Sequence, residues 1–463
     1  MSLRVYNTLN NRMETFKPLQ EGEVGLYTCG PTVYDFNHIG NFRAYVFEDL
    51  VKRYLLYLGY RVNHVMNITD IEDKIIKKSM ELKCDLDEVT GQYIEAFFRD
   101  LDRLNVIKAG EYPRATRHIE EMVAMIDTLV SKGFAYEKGG SVYFALDQFP
   151  EYGKLANIDR EKLVAGMRVD ADEYERDNVQ DFVLWKGKKE GEPYWETQFG
   201  PGRPGWHIEC SAMSMKYLGE QFDIHMGGVD NIFPHHENEI AQSQCATGKP
   251  FVNYWIHCQH LIADGQKMSK SLGNFYLVDD LINKGYDTMA IRYLLISTHY
   301  RKLLNFTIAG LDQARQPLKR ITDFIFALQG QKAQVGETER VNTLIGENEL
   351  KFKENMNDDF NISGALGVFF DFIHQVNLEK KNLKQRDIEN ILGYVERING
   401  VLGVVQSRDS KDLEQEIRDQ IAKREQARKD RDYALADSIR DAMREKGIVL
   451  IDTPDGVRWK IEE

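Results

Sequence analysis

The segment Tyr27-Thr28-Cys29-Gly30-Pro31-Thr32-Val33-Tyr34-Asp35-Phe36-Asn37-His38-Ile39-Gly40-Asn41 puts a cysteine, a Gly-Pro turn and a His-x-Gly-Asn directly ahead of a long amphipathic run. A helix start offers unpaired N–H groups and the positive end of a dipole, so a helix opening here could take a phosphate, with Gly40 allowing close approach. Far downstream, Asp264-Gly265-Gln266-Lys267-Met268-Ser269-Lys270-Ser271-Leu272-Gly273-Asn274 sets two lysines three apart in a glycine-flanked loop. Their ammonium groups could neutralise a polyphosphate as charge builds on it. A solvated surface loop accounts for the same residues. Between these, His225-Met226-Gly227-Gly228-Val229-Asp230 follows an apolar run. Its glycines would let a flat ligand reach the backbone while Asp230 accepts from ribose hydroxyls, although an ordinary glycine turn would look alike.

Pro234-His235-His236-Glu237-Asn238-Glu239 begins at a proline suited to a helix start. His235 and Glu239, four apart, share one helical face and could hold one metal. A zincin motif would need a second histidine four residues after His236, and that position is Ile240. With Cys29, and Cys210 of Trp206-His207-Ile208-Glu209-Cys210, the set becomes two thiolates, an imidazole and a carboxylate, all accepted zinc ligands. The alternative is two buried thiols and a His–Glu pair on a helix surface.

The elements that must position these residues read as α/β. Residues 1–27 alternate enough for a hairpin leading into a strand at 24–27. Phe42, Tyr45, Val46, Leu50, Tyr54 and Leu58 then keep a 3.6 period up to Gly59, and 61–68 reads as the next strand. That order implies a parallel pair joined by a right-handed crossover. Residues 85–134 turn helical, 141–146 and 182–185 read as short strands around a charged loop at 170–178, and 222–225, a 234–247 helix and 254–257 resume the sheet. Beyond residue 285 the pattern is helical at 291–297, 311–328 and 366–378, with a polar break at 330–339. A charged helical stretch at 413–446 and a hairpin at 448–459 end the chain.

With 463 residues there is room for several domains, and a net charge of −13 means that a polyanion must be met by local basic surface. Five scattered cysteines do not read as a secreted disulfide framework. Neither an N-terminal apolar signal core nor a run of membrane-spanning length is present, so the expectation is a cytoplasmic protein with no membrane partner.

His38-Ile39-Gly40-Asn41 and Lys267-Met268-Ser269-Lys270-Ser271, in this order and so far apart, resemble the two signatures of class I aminoacyl-tRNA synthetases. The Cys29–Asp35 stretch, Asn67-Ile68-Thr69-Asp70-Ile71, Arg203-Pro204-Gly205-Trp206-His207-Ile208-Glu209-Cys210 and the Pro234–Glu239 stretch are similar to the cysteinyl-tRNA synthetases in particular, and the likeness spans nearly the whole chain. The resemblance implies a Rossmann-type parallel-sheet catalytic domain at 1–300 with a mixed helical insertion at about 85–200. It also implies a helical tRNA-binding domain at 301–400 and a small mixed anticodon-recognition unit at 401–463. It implies joining of L-cysteine to tRNA(Cys) through an ATP-derived adenylate by a monomer. Cys29, Cys210, His235 and Glu239 become ligands of one Zn²⁺, and Cys29, Thr69 and Trp206 contact the amino acid. His38, Gly40, Asn41, Lys267 and Lys270 fall at the ATP phosphates with Mg²⁺, and Gly227, Gly228 and Asp230 at the nucleotide. The general signature ends in histidine. Asn41 stands there instead, keeping a hydrogen-bond donor but no charge. Two rivals are a ligase joining cysteine to an amino sugar, which would not need the chain beyond about 300, and an idle paralogue, against which the intact lysines and ligand set speak.

Overall fold

A hairpin of β1 (Arg4–Asn7) and β2 (Arg12–Thr15) opens the chain and leads into β3 (Glu23–Thr28), followed by a helix Ile39–Tyr57 and β4 (Arg61–Met66). These come from a computed structural model that describes residues 2–158, 181–405, 410–445, 448–453 and 456–461. The charged loop expected at 170–178 lies outside the described residues, as do Lys446 and Asp455. β9 (Phe222–Gly228) and β10 (Val252–Cys258) complete a parallel sheet in the order β10-β9-β3-β4. The chain leaves β3 toward β4 on one side and β9 toward β10 on the other. The switch point therefore falls between β3 and β9, where an α/β sheet opens a crevice beyond its strand ends. Cys29 sits there, its N–H donating to Met226 O at 3.2 Å.

The Ile39–Tyr57 helix is buried nearly all round, from Phe42 to Leu55, because the sheet covers one face and the helices Thr288–Ser297 and Gln385–Leu402 cover the other. Charged Arg43, Glu48, Asp49, Lys52 and Arg53 are buried with it.

Between β4 and β9 lie the helices Asp73–Leu82, Leu86–Arg103 and Ile119–Ser131 and a four-stranded antiparallel sheet of β5 (Ala135–Lys138), β6 (Ser141–Phe144), β7 (Phe182–Gly187) and β8 (Gly202–Pro204). β5 and β8 are too short to show a period. Helix Trp206–Leu218 was also not anticipated: residues 208–214 are buried one after another, so no apolar stripe marks it. Near Pro234 the chain makes a wide turn over Ile232–His236 and continues as the helix Glu237–Thr247, close to the expected start.

β11 (Leu261–Ala263) and β12 (Leu304–Phe306) pair in parallel beside the lysine loop. Helices Ile308–Gln329, Glu339–Asn357, Ile362–Glu379 and Gln385–Leu402 form the following bundle, with the polar break where expected. Helices Ser410–Lys429 and Tyr433–Glu445 and the β13 (Ile448–Thr453) and β14 (Gly456–Ile461) hairpin enclose a small core of Ile417, Met443 and Ile448. Among the described residues no helix is long and apolar enough to cross a membrane.

Candidate active site and metal cluster

Cys29 leaves the end of β3, Cys210 sits one turn into the Trp206–Leu218 helix, and His235 and Glu239 lie one turn apart at the next helix start. One donor atom from each lies within 4.8 Å of all the others. His235 Nε2 is 3.1 Å from Glu239 Oε1, an oxygen that accepts no hydrogen bond. The two thiols are coupled: their mutual hydrogen bond drives the Cys210 pKa well down and the Cys29 pKa well up. Burial alone would lower the His235 pKa, but Cys210 and Glu239 raise it above the usual histidine value. A buried carboxylate beside ionisable thiols calls for a compensating cation, and two sulfurs with one imidazole suit a soft-to-borderline one. The donor set therefore fits a zinc ion.

A second group, Cys29, His225, His236 and Glu239, is equally close together. Cys29, Cys210 and His235 line the cleft, of volume about 810 Å³, whereas His225 and His236 do not. The first group thus meets the cleft through three of its members, the second through Cys29 alone. Trp206 lies at 4.5 Å centroid distance over the His235 ring, and buried Thr69 lines the same cleft.

At the other end of the cleft, His38 caps the Ile39–Tyr57 helix. Its Nδ1 accepts from Asn41 N at 3.2 Å, and Asn41 Oδ1 accepts from His38 N at 3.0 Å. With Nδ1 accepting, the neutral ring carries its proton on Nε2, and burial lowers its pKa. Asn41 uses its oxygen in the cap and has its amide nitrogen left for donation. A Cβ at Gly40 would meet the Met268 methyl at 2.7 Å, so glycine here admits the lysine loop rather than open space. That loop is joined to the helix start by Ile39 N donating to Tyr276 O at 3.0 Å. Lys270 Nζ is 2.5 Å from Asp35 Oδ2, and Lys267 also lines the cleft.

The glycine pair departs from expectation. Gly228 and Asp230 line the cleft, but Gly227 does not; a Cβ on it would press on the His236 ring at 2.9 Å. Gly227 makes room for the His236 ring.

Sequence reasoning missed that histidine's neighbours. His236 Nε2 is 3.2 Å from Cys29 Sγ and its Nδ1 2.8 Å from His257 Nε2, whose Nδ1 is 2.8 Å from Thr8 Oγ1. His225 Nε2 is 3.0 Å from Glu239 Oε2, and His207 Nδ1 is 2.8 Å from His235 Nδ1. Burial brings His225 and His257 down to about 3, so both are neutral. The signal was composition: six of the eleven histidines fall between residues 207 and 260. Glu237 accepts from Gly153 N at 2.8 Å and Ala156 N at 2.9 Å, and Tyr152 OH donates to Asn238 Oδ1 at 2.5 Å. The same short helix start thus places cluster ligands and fastens the inserted unit.

A crevice at the sheet's switch point, a capped helix start and a two-lysine loop meet in one cleft. The family model described as the class I tRNA synthetase (C) catalytic domain matches residues 15–316, and a DALR domain matches 351–406. The chain is 48% identical to a cysteine–tRNA ligase of Brachyspira hyodysenteriae, covering 98% of each, and 46% identical to one of Solibacter usitatus, covering 99% of this chain and all of that one. Mycobacterium tuberculosis methionyl-tRNA synthetase in complex with methionyl-adenylate shares the fold at 13% identity, with a TM-score of 0.60 over 82% of this chain and 90% of that one. The chain belongs to the cysteine–tRNA ligase family.

Proposed function

We infer that this chain joins L-cysteine to tRNA(Cys) in the cytoplasm, as a monomer, through a cysteinyl-adenylate. The observation that carries the reading is a single cleft with a thiol-rich cluster, Cys29, Cys210, His235 and Glu239, at one end and the His38–Asn41 helix start with Lys267 and Lys270 at the other. Zinc held by the cluster would supply a soft site that favours a thiolate over serine's hydroxyl.

The chain's residues supply position and charge. Trp206 and Thr69 border the amino acid, and Asp230, beyond Gly228, is placed to accept from ribose hydroxyls. The cysteine carboxylate attacks the α-phosphorus of ATP, and the bond to pyrophosphate breaks. His38 Nε2–H, the Asn41 amide, Lys267, Lys270 and Mg²⁺ take up the charge that develops on the departing phosphates. A hydroxyl of the terminal tRNA ribose then attacks the cysteinyl carbonyl and releases AMP. The bundle and the terminal unit would hold the rest of the tRNA, in keeping with the DALR match at 351–406.

Cysteine-dependent exchange of pyrophosphate into ATP, followed by charging of tRNA, tests the reading. No exchange would refute activation; exchange without tRNA charging would point to another acceptor. Sedimentation of the protein with and without tRNA tests the monomer.

A further inference from the structure

Beside the cleft-lining Tyr34 and Phe36, a chain of net charge −13 sets the lysines of one helix. The Asp73–Leu82 helix follows Thr69 by a short turn and buries Ile75, Ile76 and Ser79. Lys74 and Lys77, one turn apart, are exposed, and Lys78 beside them is half-buried. Lys74 Nζ lies 4.5 Å from the centre of the Tyr34 ring, and Lys78 Nζ donates to Tyr34 O at 3.4 Å and to the Tyr93 hydroxyl. Phe36 lines the cleft and is 40% exposed, with Tyr93 edge-on at 4.9 Å. Most nearby acids are already compensated. Asp73 is paired with Arg203 and Lys186, Asp35 with Lys270, and Glu72 accepts from Lys74 N. Of the helix's own acids, only Glu81 stands exposed at its far end.

An exposed ring beside ammonium groups is what a single-stranded nucleic acid needs: a face for a base to stack on and charge for its phosphates. A duplex offers no free base faces, and a cleft sized for one amino acid and one nucleotide admits only a strand. Lys267 and Lys270 are committed to ATP in the synthetase reading, so the strand must find its cations elsewhere.

We propose that this lip, Phe36 with Lys74 and Lys77, binds the unpaired 3′ end of the tRNA and feeds it into the cleft. The proposal rests on the synthetase reading. It separates the lysines that serve the strand from those that serve ATP.

The test uses the full-length protein and the variants Lys74→Gln with Lys77→Gln, Phe36→Ala and Phe36→Tyr. The double lysine variant should raise KM for tRNA and lower the slope of log affinity against log salt by about two. Phe36→Ala should raise KM for tRNA roughly five- to hundredfold, as for loss of one stacked base, and Phe36→Tyr should restore it. Cysteine-dependent pyrophosphate exchange should be unchanged in all three. A tRNA stripped of its unpaired 3′ nucleotides should bind the variants and the unmodified protein alike. Normal binding of intact tRNA by the variants, equal weakening toward the stripped tRNA, or loss of exchange in the variants would each overturn the proposal. Absence of exchange in the unmodified protein would instead remove the reading beneath it.

Discussion

Glu48 lies in the buried part of the Ile39–Tyr57 helix, and burial, opposed by the Thr28 hydroxyl beside it, pushes its pKa from 4.5 up to about 8. A pKa raised on folding means that the native state keeps a proton the unfolded chain gives up. The associated stability is full below pH 4.5 and drains away as pH rises to about 8, at up to about 1.4 kcal/mol per pH unit. Glu48→Gln, which mimics the neutral acid, should therefore melt progressively higher than the unmodified protein between pH 5 and 8; a constant difference across that range would refute it. The unmodified chain should purify with about one equivalent of zinc and Cys210→Ser with a small fraction of that, read by metal analysis, while the helices seen by circular dichroism persist. Lys270→Ala should slow pyrophosphate exchange roughly tenfold to a thousandfold with a smaller change in KM for ATP, as for removal of a charge acting in the transition state. Cys29, Cys210, His235 and Glu239 were legible because their types name a chemistry and two of them sit at helical spacing. The reason for Gly227 was not, because the clash it avoids is with His236 on another element.

One-sided burial made some elements legible, though not all. The bundle helices Ile308–Gln329 and Ile362–Glu379 carry stripes that were read in the sequence, while Glu339–Asn357, Gln385–Leu402 and Asp73–Leu82 were passed over; the Trp206–Leu218 helix is enveloped, and β5 and β8 are too brief to repeat anything. Contacts between elements were invisible. Arg292, wholly buried on the Thr288–Ser297 helix, donates to Asp49 Oδ2 at 2.6 Å, to Leu402 O at 2.9 Å and to Leu104 O at 3.0 Å. Arg53 shares the same Asp49 oxygen at 2.7 Å and reaches Gly400 O at 3.1 Å. One carboxylate thus ties the site's own helix to the end of the bundle. Arg292→Met should cost about 3 kcal/mol in urea unfolding, because it leaves Asp49 with Arg53 as its remaining guanidinium partner and the Leu402 and Leu104 carbonyls without their donor. The losses from Arg292→Met and Asp49→Asn should sum to more than the loss in the double variant, and strictly additive losses would show the two residues to be uncoupled.

For the whole molecule, the same contacts decide where the chain can be cut. Gly400, Leu402 and Gly403 supply carbonyls to Arg53, Arg292 and Asn105, and Asn399 is bonded to Val405 in both directions. A break at 400 would tear this joint, so the informative truncation ends at Val405. It should keep cysteine-dependent exchange and lose most tRNA charging; full charging would exclude an anticodon role for the terminal unit. Within that unit, Arg424 is buried in a two-pronged bond to Asp452, so it is not the open contact for tRNA that its residue type suggests, while Trp459 is half-buried against Ile417, Met443 and Ile448. The pairing of β3 with β9 also sets a timetable. About 200 residues separate Cys29 from Glu239, which a ribosome adding roughly 5–20 residues per second takes on the order of 10–40 s to make. For that interval the emerging β3 can pair with β4 alone. Its other edge stays open and the thiol at its tip waits for partners not yet translated, so the nascent chain is most exposed to mispairing and oxidation at the spot where the cluster will later close.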